Sequence, residues 1–228
     1  MDDRYYDNLQ RVNPGFGRPR FSKKELIDIL ISVLVLAAAF TLLYRSSGSI
    51  LAFFSYHMGD SMKYVGLFGM SLILVTLSFL LHEFGHKFVA QRFGLWSEYR
   101  MWPIGLVLTL VTSLLGFLFA APGAVMISGN MDKATYGKIS IAGPIVNIVM
   151  AVIGIAGCLL LNHTEWVVFF LLLANLNSFL GLFNLIPVPP LDGSKVIGWN
   201  PIVWIVAIAI AAAEVLYVMY YMPTLYWA

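Results

Sequence analysis

The sequence predicts an all-α polytopic membrane protein of about five to six transmembrane helices, and two observations carry that prediction. Of the 228 residues, 60% are apolar and only 11% are charged, against roughly 45–50% and about 25% in soluble globular proteins. The apolar residues also gather into runs of about 20, the length that crosses a hydrocarbon core about 30 Å thick. Other classes are excluded on the same ground. A net charge of +2, with no basic patch beyond the amino-terminal tail, gives no nucleic-acid partner. Cys158 is the single cysteine, so no intrachain disulfide can form. A cleavable signal peptide is not expected, because a long polar stretch precedes the first apolar run and that run is long enough to span.

Met1–Glu25 is mixed in charge and contains Pro14, Gly15, Gly17 and Pro19. It reads as a flexible tail, which accounts for Pro14–Pro19 more simply than a docking motif does. Residues 26–228 read as a single membrane-embedded domain, since no internal repeat is visible and the loops are too short for a soluble unit. Apolar segments run over about 26–44, 65–93, 102–127, 139–161, 167–189 and 201–222. Orientation follows from Lys and Arg near the span ends. Arg4, Arg11, Arg18, Arg20, Lys23 and Lys24 precede the first span and put the N-terminus in the cytosol. The stretch 45–64, with only Arg45 and Lys63, lies outside. The second span returns to Lys87, Arg92 and Arg100. Segment 102–127 is apolar enough to cross, yet Pro103, Gly105, Gly116, Pro122 and Gly123 interrupt it. If it crossed, Lys133 and Lys138 would be outside, against the charge rule.

The chemistry concentrates in the second run, which contains His82-Glu83-Phe84-Gly85-His86. On a helix the two histidines, four apart, lie on one face and can reach one ion. The glutamate beside the first can hold and deprotonate a metal-bound water, as in HExxH zinc hydrolases. Two imidazoles and a carboxylate are expensive to bury in an apolar helix, so the cluster is a functional candidate before it is a packing device. Catalytic zinc takes three protein ligands, which leaves one missing. Asp28, Asp132, Glu165, Asp192 and Glu214 are the carboxylates near apolar runs. Asp192 ends the stretch Asn184-Leu-Ile-Pro187-Val-Pro189-Pro190-Leu191-Asp192-Gly193, where three prolines must stop a regular helix. A broken backbone of that kind is tolerated at membrane depth only beside protein or a water-filled cavity.

HEFGH on one membrane helix, followed about a hundred residues later by N-x-x-P-x-P-x-L-D-G, resembles the site-2 proteases, a family of intramembrane zinc metalloproteases. The family's G-P-x-x-N is matched by Gly143-Pro144-Ile145-Val146-Asn147. The resemblance covers about residues 65–195, which would form the catalytic core. It implies one Zn²⁺ per chain held by His82, His86 and Asp192, with Glu83 as general base. It puts Asn147 near the scissile bond, where an amide could serve an oxyanion. For Asn184 it leaves two roles open, fixing the broken backbone or touching substrate. The implied activity is hydrolysis of peptide bonds in membrane-spanning protein substrates by metal-activated water. Gly85 and Gly143 would let helices approach closely at the metal.

With that ligand set, topology becomes testable. His86 lies roughly 10 Å from the end of its helix near Phe93, and Asn147 roughly 12 Å from the start of its own near Ile139. If 102–127 dips instead of crossing, Asp192 arrives level with the histidines on the cytosolic side. The expected result is five spans and a short re-entrant β-hairpin near the metal, with Pro122–Ile127 resembling the family's sheet and offering an edge for an unwound substrate. Trp102–Ala121 is longer and more apolar than the family's corresponding stretch, which leaves an additional span as the alternative. His57, His163 and Cys158 are read without a metal role. Glu214 is read as a structural hydrogen bond between helices, and Tyr217, Tyr220, Tyr221, Tyr226 and Trp227 as an interfacial belt. Two other readings stand beside the protease: a membrane metallopeptidase using Glu214 as third ligand, and a non-proteolytic zinc-binding membrane protein. The intact Glu83 argues against the second.

Overall fold

The computed structural model describes residues 21–45, 48–161 and 163–221. Most of the expected tail, including Pro14–Pro19, lies outside them, as do Tyr226 and Trp227. The tail's expected boundary moves inward, because Lys23, Lys24 and Glu25 already form the first turn of helix α1 (Lys23–Tyr44). Ser22 caps that turn, its hydroxyl accepting from the Glu25 amide at 3.1 Å and satisfying a donor the helix cannot use itself.

Among the described residues, five helices are long and apolar enough to cross a membrane. They are α1, α3 (Lys63–Arg92), α5 (Lys133–Leu160), α6 (Trp166–Asn184) and α8 (Pro201–Leu216, continued to Tyr220). At 1.5 Å per residue they span about 28–45 Å. Each buries one stripe and leaves the rest apolar and exposed. In α1, Leu36, Ala37 and Phe40 are buried while Leu26, Ile27 and Leu30 are exposed. Exposed leucine and isoleucine on a helix of this length meet lipid, not water. The chain is a multi-pass membrane protein. Between α1 and α3, in the stretch expected only as an external loop, lies α2 (Gly48–Met58), whose Phe54 packs on Leu67 and Met70.

The most extensive helix pair is α5 with α6. Small residues permit it: a Cβ added at Gly154 would fall 2.5 Å from the Ala174 backbone nitrogen. In a membrane, where apolar burial against lipid gains nothing, such close backbone approach is what holds helices together.

Segment 102–127 does not cross. Strand β1 (Trp96–Met101) pairs antiparallel with β2 (Gly123–Ser128), in register from Trp96 opposite Ser128 to Met101 opposite Gly123. The Trp102 amide donates to the Pro122 carbonyl at 2.8 Å. The chain therefore leaves and returns at one point, and the excursion holds α4 (Pro103–Leu114). Twelve residues reach about 18 Å, too short for the hydrocarbon core. Helix α4 lies along α1, and the Thr109 and Thr112 hydroxyls satisfy the returning loop at Phe119 O and Phe119 N. The expected strand at 122–127 is present within one residue; its partner β1 was not anticipated. After α6 the chain turns through Leu185–Leu191 into the short helix α7 (Asp192–Trp199).

The re-entrant path is testable by cross-linking. In a Cys158→Ala background, Ser97→Cys with Ile127→Cys should form a disulfide on mild oxidation, because these residues are directly opposed in the sheet. A crossing segment would hold them about 30 Å apart, and the gel shift would be absent.

Candidate metal centre and active site

Three side chains from two distant parts of the chain converge below the sheet. His82 and His86 lie one turn apart on α3, and their Nε2 atoms are 3.0 Å from each other. Asp192, the first residue of α7, brings Oδ2 to 3.1 Å from His86 Nε2 and 3.5 Å from His82 Nε2. All three residues are buried. Four-coordinate zinc with bonds of 2.0–2.2 Å has ligand–ligand edges of about 3.3–3.6 Å, so a triangle of this size can hold a metal ion.

The opposite ring nitrogens set the direction of the donors. His82 Nδ1 donates to Asn147 Oδ1 at 2.5 Å, and His86 Nδ1 donates to the Ile139 carbonyl at 2.8 Å. With a proton on each Nδ1, each Nε2 keeps its lone pair for the centre, the arrangement that orients histidine ligands in metal sites. Asp192 turns Oδ2 toward both rings. Its other oxygen, Oδ1, accepts from Lys195 Nζ at 3.1 Å. Asp192 thus presents one oxygen to the histidines and the other to a cation.

Local sequence explains the convergence. A π-helical turn at Thr76–Leu80 interrupts α3 immediately before the histidines, a feature often found at functional sites. Here the Ser78 carbonyl accepts from Asn147 Nδ2 at 2.9 Å, and the Ser78 hydroxyl accepts from Asn177 Nδ2 at 2.8 Å. Gly143 faces the donors so closely that a Cβ would lie 2.4 Å from His86 Nε2. Gly85 brings α3 against the Ala142 carbonyl of α5. Both glycines serve the close approach expected of them. The prolines end α6 at Asn184 and turn the chain back, and Gly193 fits where any Cβ would meet the Leu185 carbonyl.

Asn147 lies behind His82, bonded to Nδ1 on the side of the ring away from the donor Nε2. It is fully buried, its Oδ1 takes the His82 proton, and its Nδ2 donates to both Ser78 O and Asn177 Oδ1. Both amide hydrogens are occupied, so this arrangement leaves no donor for an oxyanion. Asn177 was not anticipated, since nothing in its spacing from Asn175 or Asn184 points to a partner on another helix. Asn184 donates to Leu180 O in its own last turn at 3.0 Å and lines the cavity beside the donors.

Glu83 is buried beside the histidines, and its Oε2 accepts from the Val125 amide of β2 at 2.9 Å. The rival third ligand, Glu214, is not part of the donor group. Among the described residues its two oxygens have no hydrogen-bond partner, so the interhelical bond expected of it is not found. His57, at the end of α2, pairs with Glu165, just before α6, at 2.6 Å.

Two cavities open on the site. One, of about 610 Å³, is lined by the donors, Glu83, β2 and the polar residues Asp132, Lys133, Tyr136 and Lys195. The other, of about 430 Å³, is mainly apolar and reaches Glu83 between Phe40 and Phe79 on one side and Phe179 and Phe183 on the other.

A second buried cluster begins at Lys87, the residue after His86. Lys87 Nζ donates to Glu25 Oε1 and Oε2 at 2.7 and 2.9 Å and to the Ser97 carbonyl at 2.9 Å. Lys87 and Glu25 are fully buried. Lys87, counted in the orientation argument among the basic residues at the end of the second span, is an internal charge. Removing one partner of such a pair costs about 3–5 kcal/mol, because the other is left as an uncompensated buried charge.

Over 207 residues the chain is 36% identical to a Methanocaldococcus jannaschii protein named "Putative zinc metalloprotease MJ0611", covering 89% of this chain and 98% of that one. It is 33% identical over 162 residues to "Putative zinc metalloprotease YwhC" of Bacillus subtilis, with 60% and 73% covered. To "Putative zinc metalloprotease Rip2" of Mycobacterium tuberculosis it is 30% identical over 164 residues, with 64% and 62% covered. No family model and no solved structure matches it. Matched along nearly all of its length by one such relative, and carrying both sequence motifs on one buried donor set, the chain belongs to the site-2 protease family of zinc metalloproteases.

Proposed function

We propose that the protein is an intramembrane zinc endopeptidase that cleaves membrane-spanning protein substrates. Residues 26–228 act as a single membrane domain and about 65–195 as its catalytic core. The observation that carries the reading is the buried triangle of His82 Nε2, His86 Nε2 and Asp192 Oδ2 with Glu83 beside it. One Zn²⁺ per chain fits that donor set, and when bound it would supply an activated water for attack on a peptide carbonyl.

Glu83 is the general base and later the acid. The Val125 amide holds its Oε2, leaving Oε1 to take the proton from the attacking water and return it to the leaving amine. Asn147 is a positioning residue, fixing the tautomer and tilt of His82. Lys195 neutralises the Asp192 oxygen that faces away from the histidines. The substrate's scissile stretch must unwind, because a helix shields its own peptide bonds. Strand β2 offers an edge for it: beside the Val125 amide, which Glu83 holds, the rest of that edge faces away from β1 onto the cavity, and an extended peptide can add along it. The apolar cavity beside Glu83 suits the flanking membrane segment, and the polar cavity admits water.

Charge asymmetry supports a cytosolic N-terminus and a site opening to the cytosol at the Lys133 end.

Glu83→Gln, which keeps an oxygen for the Val125 amide, should retain bound zinc while cleavage falls about 10²–10⁴-fold. Unchanged turnover in a metal-loaded Glu83→Gln sample rules out the base assignment. Asp192→Ala should purify with less than stoichiometric zinc by elemental analysis, whereas Glu214→Ala should keep it. In sealed inverted and right-side-out vesicles, a cysteine at Lys133 should react with an impermeant maleimide from the cytosolic face; labelling from the outer face alone contradicts the orientation.

A further inference from the structure

The Glu25–Lys87 cluster is tied to Glu83 through a closed ring of contacts. Tyr99 on β1 is directly opposite Val125 on β2. In an antiparallel pair, residues that point their amides outward face each other without hydrogen bonds between them. Both amides of this rung do so, and each meets a carboxylate. Val125 N donates to Glu83 Oε2 at 2.9 Å, and Tyr99 N donates to Glu25 Oε1 at 2.9 Å. The sheet is thus held between two glutamates on different helices. Lys87 closes the ring, because it binds Glu25 at 2.7 Å and sits one turn after Glu83 on α3, while also holding the Ser97 carbonyl of β1. Tyr99 itself is fully buried, with its hydroxyl donating to Ser32 Oγ of α1 at 2.9 Å.

From this ring we infer that Glu25 is a positioning residue for the reaction proposed above. Its carboxylate, by accepting the Tyr99 amide, sets where the β1–β2 sheet sits against Glu83. The function of the charge is secondary: Lys87 makes a carboxylate tolerable at that depth, and the carboxylate supplies the acceptor. The amino-terminal helix thereby takes part in aligning substrate strand and base, although it contributes nothing to the metal donors. A misplacement of the reacting groups by about 1 Å can cost on the order of 100-fold in rate.

This inference rests on the protease reading, so cleavage by wild type and its loss in Glu83→Gln form the control. If wild type does not cleave, that reading fails and the ring is judged by hydrogen exchange alone. The test compares two charge-free double variants of the full chain. Glu25→Gln with Lys87→Met keeps an acceptor for the Tyr99 amide; Glu25→Leu with Lys87→Leu removes it. In zinc-loaded, folded protein, kcat on a transmembrane substrate should fall about 10- to 100-fold only in the Leu pair. Amide exchange across Gly123–Ser128 should quicken in the Leu pair and stay near wild type in the Gln/Met pair. A merely structural pair would lower the folded fraction of both and leave kcat per zinc-loaded molecule unchanged, which overturns the proposal. Should the Leu pair fail to fold, Glu25→Asp decides, since it keeps both charges but shortens the reach to Tyr99. A lowered kcat with full zinc supports positioning, and wild-type kcat and exchange overturn it.

Discussion

An ionised side chain removed from water must be met by an opposite charge, a metal or a full set of hydrogen bonds, and the architecture of this protein follows from that requirement. Nearly every buried polar group in the central helices has such an answer. The histidines and Asp192 answer one another around a space a cation can fill. Glu25 answers Lys87. Asn147 and Asn177 spend their amides on His82 and Ser78. Because each answer comes from a different helix, satisfying the charges also fixes how α1, α3, α5, α6 and α7 sit around the site. Packing alone would not, since leucine against lipid and leucine against leucine differ little in free energy.

The sheet illustrates how the constraint shapes backbone as well. A two-stranded ribbon is marginal by itself, and at membrane depth its unpaired edges would be costly. Here the outward amides of one rung are taken by Glu25 on one side and Glu83 on the other. The same bonds that make the sheet tolerable place it within reach of the metal donors. Apart from the Val125 amide, that edge of β2 faces the cavity, where an extended segment can be accommodated.

Both sequence motifs were legible because their spacing maps onto geometry. A spacing of four from His82 to His86 puts two donors on one helical face, and three prolines before Asp192 break the helix that would otherwise carry it away. The five long helices were legible from length and apolarity, and the failure of 102–127 to cross was legible from Lys133 and Lys138 together with the need to bring Asp192 back. The tail boundary, α2 and β1 were less so. Glu25 and Lys87 looked like ordinary charges near a span end, since nothing in a linear chain marks residues 62 positions apart as partners.

The sequence by itself determined the solvent this protein folds in and, to within one, the number of its long helices, and its motifs singled out His82, His86 and Asp192 as candidate metal donors, because hydrophobic length and local spacing are properties of short windows. Only the tertiary structure decided what each buried polar group is for. It turned Asn147 from an expected oxyanion donor into a support for His82, paired Lys87 with Glu25 in the interior, and left Glu214 without a hydrogen-bond partner among the described residues. The physical reason is that a hydrogen bond or ion pair depends on ångström distances between elements far apart in the chain, and those distances exist only after the helices have packed.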